Sequence, residues 1–161
     1  MKKRTLQLDY EEYASDRELT ASDAALLNKA REATADAYAP YSRFRVGAAA
    51  RLANGVVITG SNQENASFPA GICAERTLLS VAATQYPGVA IDTLAISYHN
   101  ENGDSTRPIS PCGICRQSLQ EFEQRTGQPM RVVLGGGTGK IIVLERSGLL
   151  LPLAFSADEL K

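Results

Sequence analysis

Long apolar runs are missing from this 161-residue chain. No segment approaches the length of a membrane span, and the Met-Lys-Lys-Arg start lacks the apolar stretch of a secretory signal. Neither a membrane anchor nor export is expected, and the expected location is the cytoplasm. Surplus charge is missing too. Seventeen Lys and Arg against 18 Asp and Glu leave a formal net charge of −1. A surface that tracks polynucleotide phosphates needs a dense basic face, so no polynucleotide partner is expected. The single histidine, His99, lies among turn residues (His-Asn-Glu-Asn-Gly) and reads as a solvated loop residue. Cysteine is scarce. Three cannot all pair with one another, and if all three ligate a metal, none is left for a disulfide, which suits a reducing compartment.

What is present is ordinary for one globular domain. The chain is 43% hydrophobic and 22% charged, and long enough to bury a core. Residues 1–20 are polar with scattered Leu6, Leu8, Tyr10 and Tyr13, and read as an N-terminal arm with a helix as its candidate element. Residues 21–161 read as the main domain. Thr20 to Asp23 resembles a capping box and predicts a helix start; Leu26, Ala30, Ala33 and Ala37 follow at helical spacing until Pro40. Phe44 to Ala53 reads as a strand. Asn54-Gly55 predicts a type I′ hairpin turn, with positive φ at both residues, into a return strand over Val56–Thr59. A helix is expected from Cys73 to about Gln85 and a strand over Ile91–Tyr98. A second helix follows Pro111 and ends at Gly127, with strands over Arg131–Leu134 and Lys140–Leu144 beyond it. Gly135-Gly136-Gly137-Thr138-Gly139 lacks the Gly-Lys-Ser/Thr ending of a phosphate loop and precedes a strand, so it reads as a plain turn. The result is a sheet of five strands with helices packed on it.

The chemistry concentrates in two segments, Gly71-Ile72-Cys73-Ala74-Glu75-Arg76 and Ser110-Pro111-Cys112-Gly113-Ile114-Cys115-Arg116. Alone, Cys112-x-x-Cys115 is compatible with a redox pair, half of a zinc ribbon, or two buried cysteines. A redox reading leaves Cys73 unexplained, and a ribbon lacks a fourth nearby Cys or His. The full pattern, Cys-Ala-Glu followed by Pro-Cys-x-x-Cys, is far more specific. Three thiolates can hold Zn²⁺ and leave a fourth corner open for water, and Glu75 is placed to move that water's protons as general base and then general acid.

Three thiolates overcompensate the charge of Zn²⁺ and make the bound water a weaker acid. Two helix N-termini aimed at the sulfurs counter this, as would hydrogen bonds to sulfur from Arg76, and equally from Arg116 unless it is an exposed helix charge.

At this point the chain resembles a known family, the small homotetrameric class of cytidine deaminases within the cytidine/deoxycytidylate deaminases. Five blocks carry the resemblance: Tyr38–Ala49, Gly60–Phe68, the Cys73 segment, Ser110–Gln117 and Leu151–Phe155. It implies a three-layer α-β-α fold on a five-stranded mixed sheet, and zinc held by Cys73, Cys112 and Cys115 with Glu75 catalytic. It also implies hydrolytic deamination of cytidine and 2′-deoxycytidine in pyrimidine salvage. Phe44 matches an aromatic that stacks on the pyrimidine. Asn62 and Glu64 match residues that hold the ribose 3′-hydroxyl. The Ala74 N–H would hold O2, and the Ser110 carbonyl would accept from the exocyclic amine. Phe155 matches a tail aromatic that reaches a neighbouring subunit, in a homotetramer with shared sites. Ile114, Gln63 and Phe68 depart from the family's usual alanine, aliphatic residue and tyrosine, which puts subunit contacts and substrate preference in question. The competing readings are a deaminase of a cytosine-nucleoside antibiotic and a non-catalytic zinc-binding protein. Glu75 argues against the latter, because a purely structural site has no use for a carboxylate beside an open corner.

Overall fold

The computed structural model describes residues 1–160, which form one mixed sheet with the spatial order β1-β6-β5-β4-β2-β3. The strands are β1 (Glu11–Tyr13), β2 (Phe44–Leu52), β3 (Val57–Ser61), β4 (Ile91–Asn100), β5 (Arg131–Gly135) and β6 (Ile141–Leu144). Only β4 and β5 run parallel; the other neighbours are antiparallel. Three α-helices complete the layers: α1 (Ala21–Ala33), α2 (Ala74–Gln85) and α3 (Gly113–Thr126). Among the described residues no helix is long and apolar enough to cross a membrane.

The central strands are buried on both faces, and their side chains alternate between two cores. Ala48, Ala50, Leu94, Ile96, Val132 and Leu134 join one apolar cluster with Leu78, Leu79 and Ala82 of α2 and Leu119 and Phe122 of α3. Their neighbours Ala49, Ala95 and Val133 join the other, with Leu26, Leu27 and Ala30 of α1. The fold is therefore α-β-α, as expected. Two glycines allow the helices to approach this closely. A Cβ on Gly47 would lie 2.1 Å from the Ala30 carbonyl oxygen of α1, and one on Gly60 would lie 2.7 Å from the Ala74 carbonyl oxygen of α2. The first turn of α2 thus rests directly on β3, which bears on the site below.

Several expected ends are realised by local chemistry. Thr20 Oγ1 accepts from the Asp23 N–H at 3.1 Å, so the predicted cap starts α1. Gly127 (φ 67°) closes α3 in the left-handed conformation. Three expectations change. The sheet has a sixth strand, because Glu11–Tyr13 of the arm pairs with β6 instead of forming a helix; the arm's only helical element is one 3₁₀ turn at Asp16–Glu18. The hairpin turn is not type I′. Gly55 has positive φ and Asn54 does not, and the Gly55 N–H donates to the Leu52 carbonyl at 2.9 Å. β4 also runs on through His99 to Asn100, since Arg45 and Phe44 at the start of β2 pair with those residues. His99 is exposed there.

Candidate active site and metal centre

Cys73 and Cys112 occupy equivalent positions, each the residue immediately before a helix, α2 and α3 respectively. Cys115 follows in the first turn of α3 and is fully buried. The two helix starts converge. The Cys73 and Cys112 sulfurs lie 3.8 Å apart, the Cys112 and Cys115 sulfurs 3.5 Å apart, and all three fall within 4.8 Å of one another. A disulfide would need about 2 Å, and all three cysteines are free. Tetrahedral zinc with bonds of about 2.3 Å to sulfur separates its ligands by about 3.8 Å. Two of the sulfur–sulfur distances therefore match that spacing, and the three sulfurs lie close enough together to share one zinc.

Their electrostatics are those of a shared thiolate site. Hydrogen bonding from Cys115 draws the Cys73 thiol down to about 6, against the opposing effects of burial and the Glu75 charge. The Cys115 thiol, holding the proton in that contact, is pushed up. Both helix N-termini add positive potential at the sulfurs.

A cavity of 620 Å³ opens beside this centre, and Cys73, Cys112, Glu75, Phe44, Asn62 and Ser110 are among its lining residues. Glu75 is 5% exposed, in the first turn of α2. Burial raises its carboxyl pKa, while its own backbone N–H and Cys115 work in the other direction. A carboxyl group at a cavity wall with a raised pKa is suited to taking up and returning a proton.

Asn62 lies just past β3 and does structural work. Its Oδ1 accepts from the Val46 N–H at 2.7 Å and its Nδ2 donates to the Phe44 carbonyl at 3.0 Å. It thereby clamps the first residues of β2 to the end of β3. Glu64 also lines the cavity, and its Oε2 accepts from the N–H groups of Tyr41 (2.9 Å) and Ser42 (3.3 Å). Contacts with Ser42 and the Tyr41 N–H hold the carboxyl below its ordinary range, against slight burial. One carboxylate oxygen is thus committed to the rim loop. Ala74 is buried at the first position of α2, where a helix leaves its N–H without a partner of its own.

Three candidates sit outside this constellation. Phe155 lies on the C-terminal tail, 59% exposed, where its carbonyl accepts from Gln117 Nε2 at 3.0 Å. Arg116 spends its guanidinium on the carbonyls of Pro111 (2.8 Å) and Leu150 (3.1 Å), tying α3 to the tail instead of bonding sulfur. The Arg76 guanidinium has no hydrogen-bond partner among the described residues, so the expected bond to sulfur is not made, and its charge is one of the weaker influences lowering the Cys73 thiol. Ile72 and Ile109 also line the cavity. No chemical signal marks such residues in a sequence; only the path of the loops brings them to the wall.

The family description "Cytidine and deoxycytidylate deaminase zinc-binding region" matches residues 20–128. A cytidine deaminase of Halalkalibacterium halodurans is 42% identical over 135 residues, covering 84% of this chain and 95% of that protein. One from Mycobacterium tuberculosis is 36% identical over 138 residues, covering 84% and 90%. Among solved structures, cytidine deaminase from Burkholderia pseudomallei superposes with a TM-score of 0.71 at 39% identity, covering 85% of this chain and all of that one. The Mycobacterium tuberculosis enzyme gives 0.65 at 31% identity, covering 84% and 98%.

Proposed function

We propose that this chain, which belongs to the cytidine and deoxycytidylate deaminase family, hydrolyses cytidine and 2′-deoxycytidine to the uridine nucleosides with release of ammonia. One observation carries the reading: three cysteine sulfurs from two helix starts converge beside a cavity that a buried glutamate also lines.

Cys73, Cys112 and Cys115 would hold the zinc, which when bound lowers the pKa of water and makes it nucleophilic near neutral pH. The chain's own groups do the rest. Glu75 takes a proton from the attacking water and delivers it to the ring nitrogen as oxygen adds at C4; it then takes the remaining proton of that oxygen and passes it to the amine, so that the C4 carbonyl forms as the C4–N bond breaks and ammonia leaves. The Ala74 N–H, free at its helix start, holds the O2 carbonyl. The Ser110 carbonyl accepts from the exocyclic amine and orients it for departure. Phe44 offers a ring for the base. Asn62 and the uncommitted oxygen of Glu64 grip a sugar hydroxyl, which supports an ordinary ribose or deoxyribose over a modified sugar. Arg76, beside Cys73, offsets thiolate charge.

Residues 21–161 form the deaminase domain in this reading, with residues 1–20 as an arm. We read the assembly as a homotetramer in which Phe155 reaches a neighbouring subunit's cavity. The exposure of Tyr41 (52%), Phe68 (78%) and Phe155 (59%) supports it. Three free thiols support a cytoplasmic setting. The test is the loss of cytidine absorbance with and without a strong chelator. Turnover that the chelator abolishes and zinc restores is expected; turnover indifferent to prolonged chelation and metal depletion would refute the reading.

A further inference from the structure

Behind Phe44 stands a second ring that the reaction above does not use. The Tyr98 and Phe44 centroids are 4.9 Å apart and their planes differ by 17°, a parallel stack. Tyr98 comes from β4, where its register partner is Val46, so its ring leans diagonally across the strand pair onto Phe44. Tyr98 is 5% exposed and Phe44 is half-buried; Phe44 lines the cavity and Tyr98 does not. Tyr98 belongs to the buried interior, although neither ring joins the two large apolar clusters. The pair therefore runs from an interior ring to one that lines the cavity, so the buried ring backs the one the cavity exposes.

The backbone around Phe44 is pinned independently. Arg43, just before it, holds φ at 55°, a left-handed conformation uncommon outside glycine. The Arg43 N–H donates to the Ala39 carbonyl at 3.0 Å, and the Arg43 carbonyl accepts from the Glu101 N–H at 3.0 Å. The Phe44 carbonyl is held by Asn62. These contacts place the Phe44 Cα, yet the terminal torsion of a phenylalanine is broad and leaves the ring plane free. Tyr98 removes that freedom and covers one face of the ring, so an incoming base has the uncovered face and the edge.

We propose that Tyr98 is a positioning residue for the base-binding ring: it fixes the plane of Phe44 so that one face is presented to the pyrimidine before substrate arrives. The orientation cost of binding is then met in advance, and the benefit falls on substrate binding and not on the proton transfers. This rests on the deaminase reading above.

The test compares Tyr98→Phe, which keeps the stack, with Tyr98→Leu, which keeps an apolar buried side chain without a ring. Tyr98→Leu is expected to raise KM for cytidine by about three- to tenfold, the scale of one aromatic pair. Its kcat should stay within about twofold, zinc content should be unchanged, and Tyr98→Phe should recover the parent's KM. Combining Tyr98→Leu with Phe44→Leu should raise KM no further than Phe44→Leu alone, because the two act as a unit. Tyr98→Ile is the second variant should the leucine form not fold. A folded, zinc-loaded variant with the parent's KM would overturn the proposal, as would fully multiplicative effects in the pair. Failure of both the leucine and isoleucine forms to fold would overturn it too, by making the ring a fold element. A parent enzyme inactive on every cytosine nucleoside would remove the proposal together with the reading beneath it, whereas an active parent with an indifferent Tyr98→Leu removes the proposal alone.

Discussion

Cys73 and Cys112 are separated by 39 residues of chain and 3.8 Å of space. Each stands at the N-terminal end of a helix that packs on the same face of the sheet. The positive ends of the two helix dipoles therefore meet at the sulfurs.

That convergence makes the ligand set cooperative. Cys112→Ala is expected to lose zinc, from about one ion per chain to a small fraction, and to abolish activity. Zinc analysis after gel filtration checks it. The parent should also melt lower after chelation and recover with added zinc, since an ion that binds only the folded chain stabilises it in proportion to ln(1 + [Zn]/Kd). An Ala variant that retains zinc would remove Cys112 from the site.

Glu75→Gln separates chemistry from structure. The glutamine keeps the shape of a 5% exposed side chain and removes its titratable proton. Turnover should fall by about three orders of magnitude or more. Zinc content should hold, and melting temperature should hold or rise, because a buried ionisable group is costly to the fold. Turnover within tenfold of the parent would show that some other group moves the protons.

Asn62→Ala tests a residue with two duties. It removes both hydrogen bonds that clamp β2 to β3, a loss of about 1–3 kcal/mol, equivalent to a drop of several degrees in melting temperature. KM should rise as well, because the same amide faces the sugar in our reading. A higher KM with unchanged melting would mean the clamp is incidental.

The arm's contact with α1 carries a pH signature. Arg31 donates to Asp16 at 2.7 Å, and this hydrogen bond lowers the Asp16 pKa. A folded-state pKa below the unfolded value of about 4 means the stabilisation is present above that pH and is lost as pH falls through the folded value. Asp16 is 38% exposed, so the contribution is below about 1 kcal/mol. Parent and Asp16→Asn unfolding curves should differ at about pH 5–8 and converge as the pH falls below the unfolded value of about 4. A constant difference would point to a neutral cause.

Deleting residues 1–13 removes β1 and the Glu12–Lys140 pair at 2.6 Å. It leaves the outer edge of β6 unpaired. Zinc content and kcat should persist, while light scattering should show concentration-dependent aggregation, the usual consequence of a bare strand edge. A large loss of kcat would instead tie the arm to the site.

Much of this molecule was legible residue by residue, wherever the signal is local. Thr20 caps α1 because its hydroxyl reaches a backbone N–H three residues on. Gly127 stops α3 because that position needs positive φ. The strand over Phe44–Ala53 was legible from its short apolar run, and the observed strand covers Phe44–Leu52. The Cys112-x-x-Cys115 half of the candidate metal site was legible for the same reason, a spacing at a helix start that encodes its own geometry; Cys73 was legible only as part of the longer motif, since it lies 39 residues away. The departures are non-local or depend on competition. Nothing within residues 1–20 says that Glu11–Tyr13 will find the free edge of β6, since that strand is 128 residues away. The Asn-Gly pair is compatible with two turn types, and the register of β2 on β3 chose between them.

The amino-acid order by itself marked which side chains are candidates for chemistry and where the three long helices and the five main strands run, because those properties depend on covalent identity and on neighbours a few residues away. Only the tertiary structure decided that two helix starts share one face of the sheet, that Asn62 is a clamp as well as a cavity wall, and that Tyr98 stands behind Phe44. Each of these depends on which strand lies beside which, and burying both faces of the sheet selects that arrangement across distances no local pattern spans.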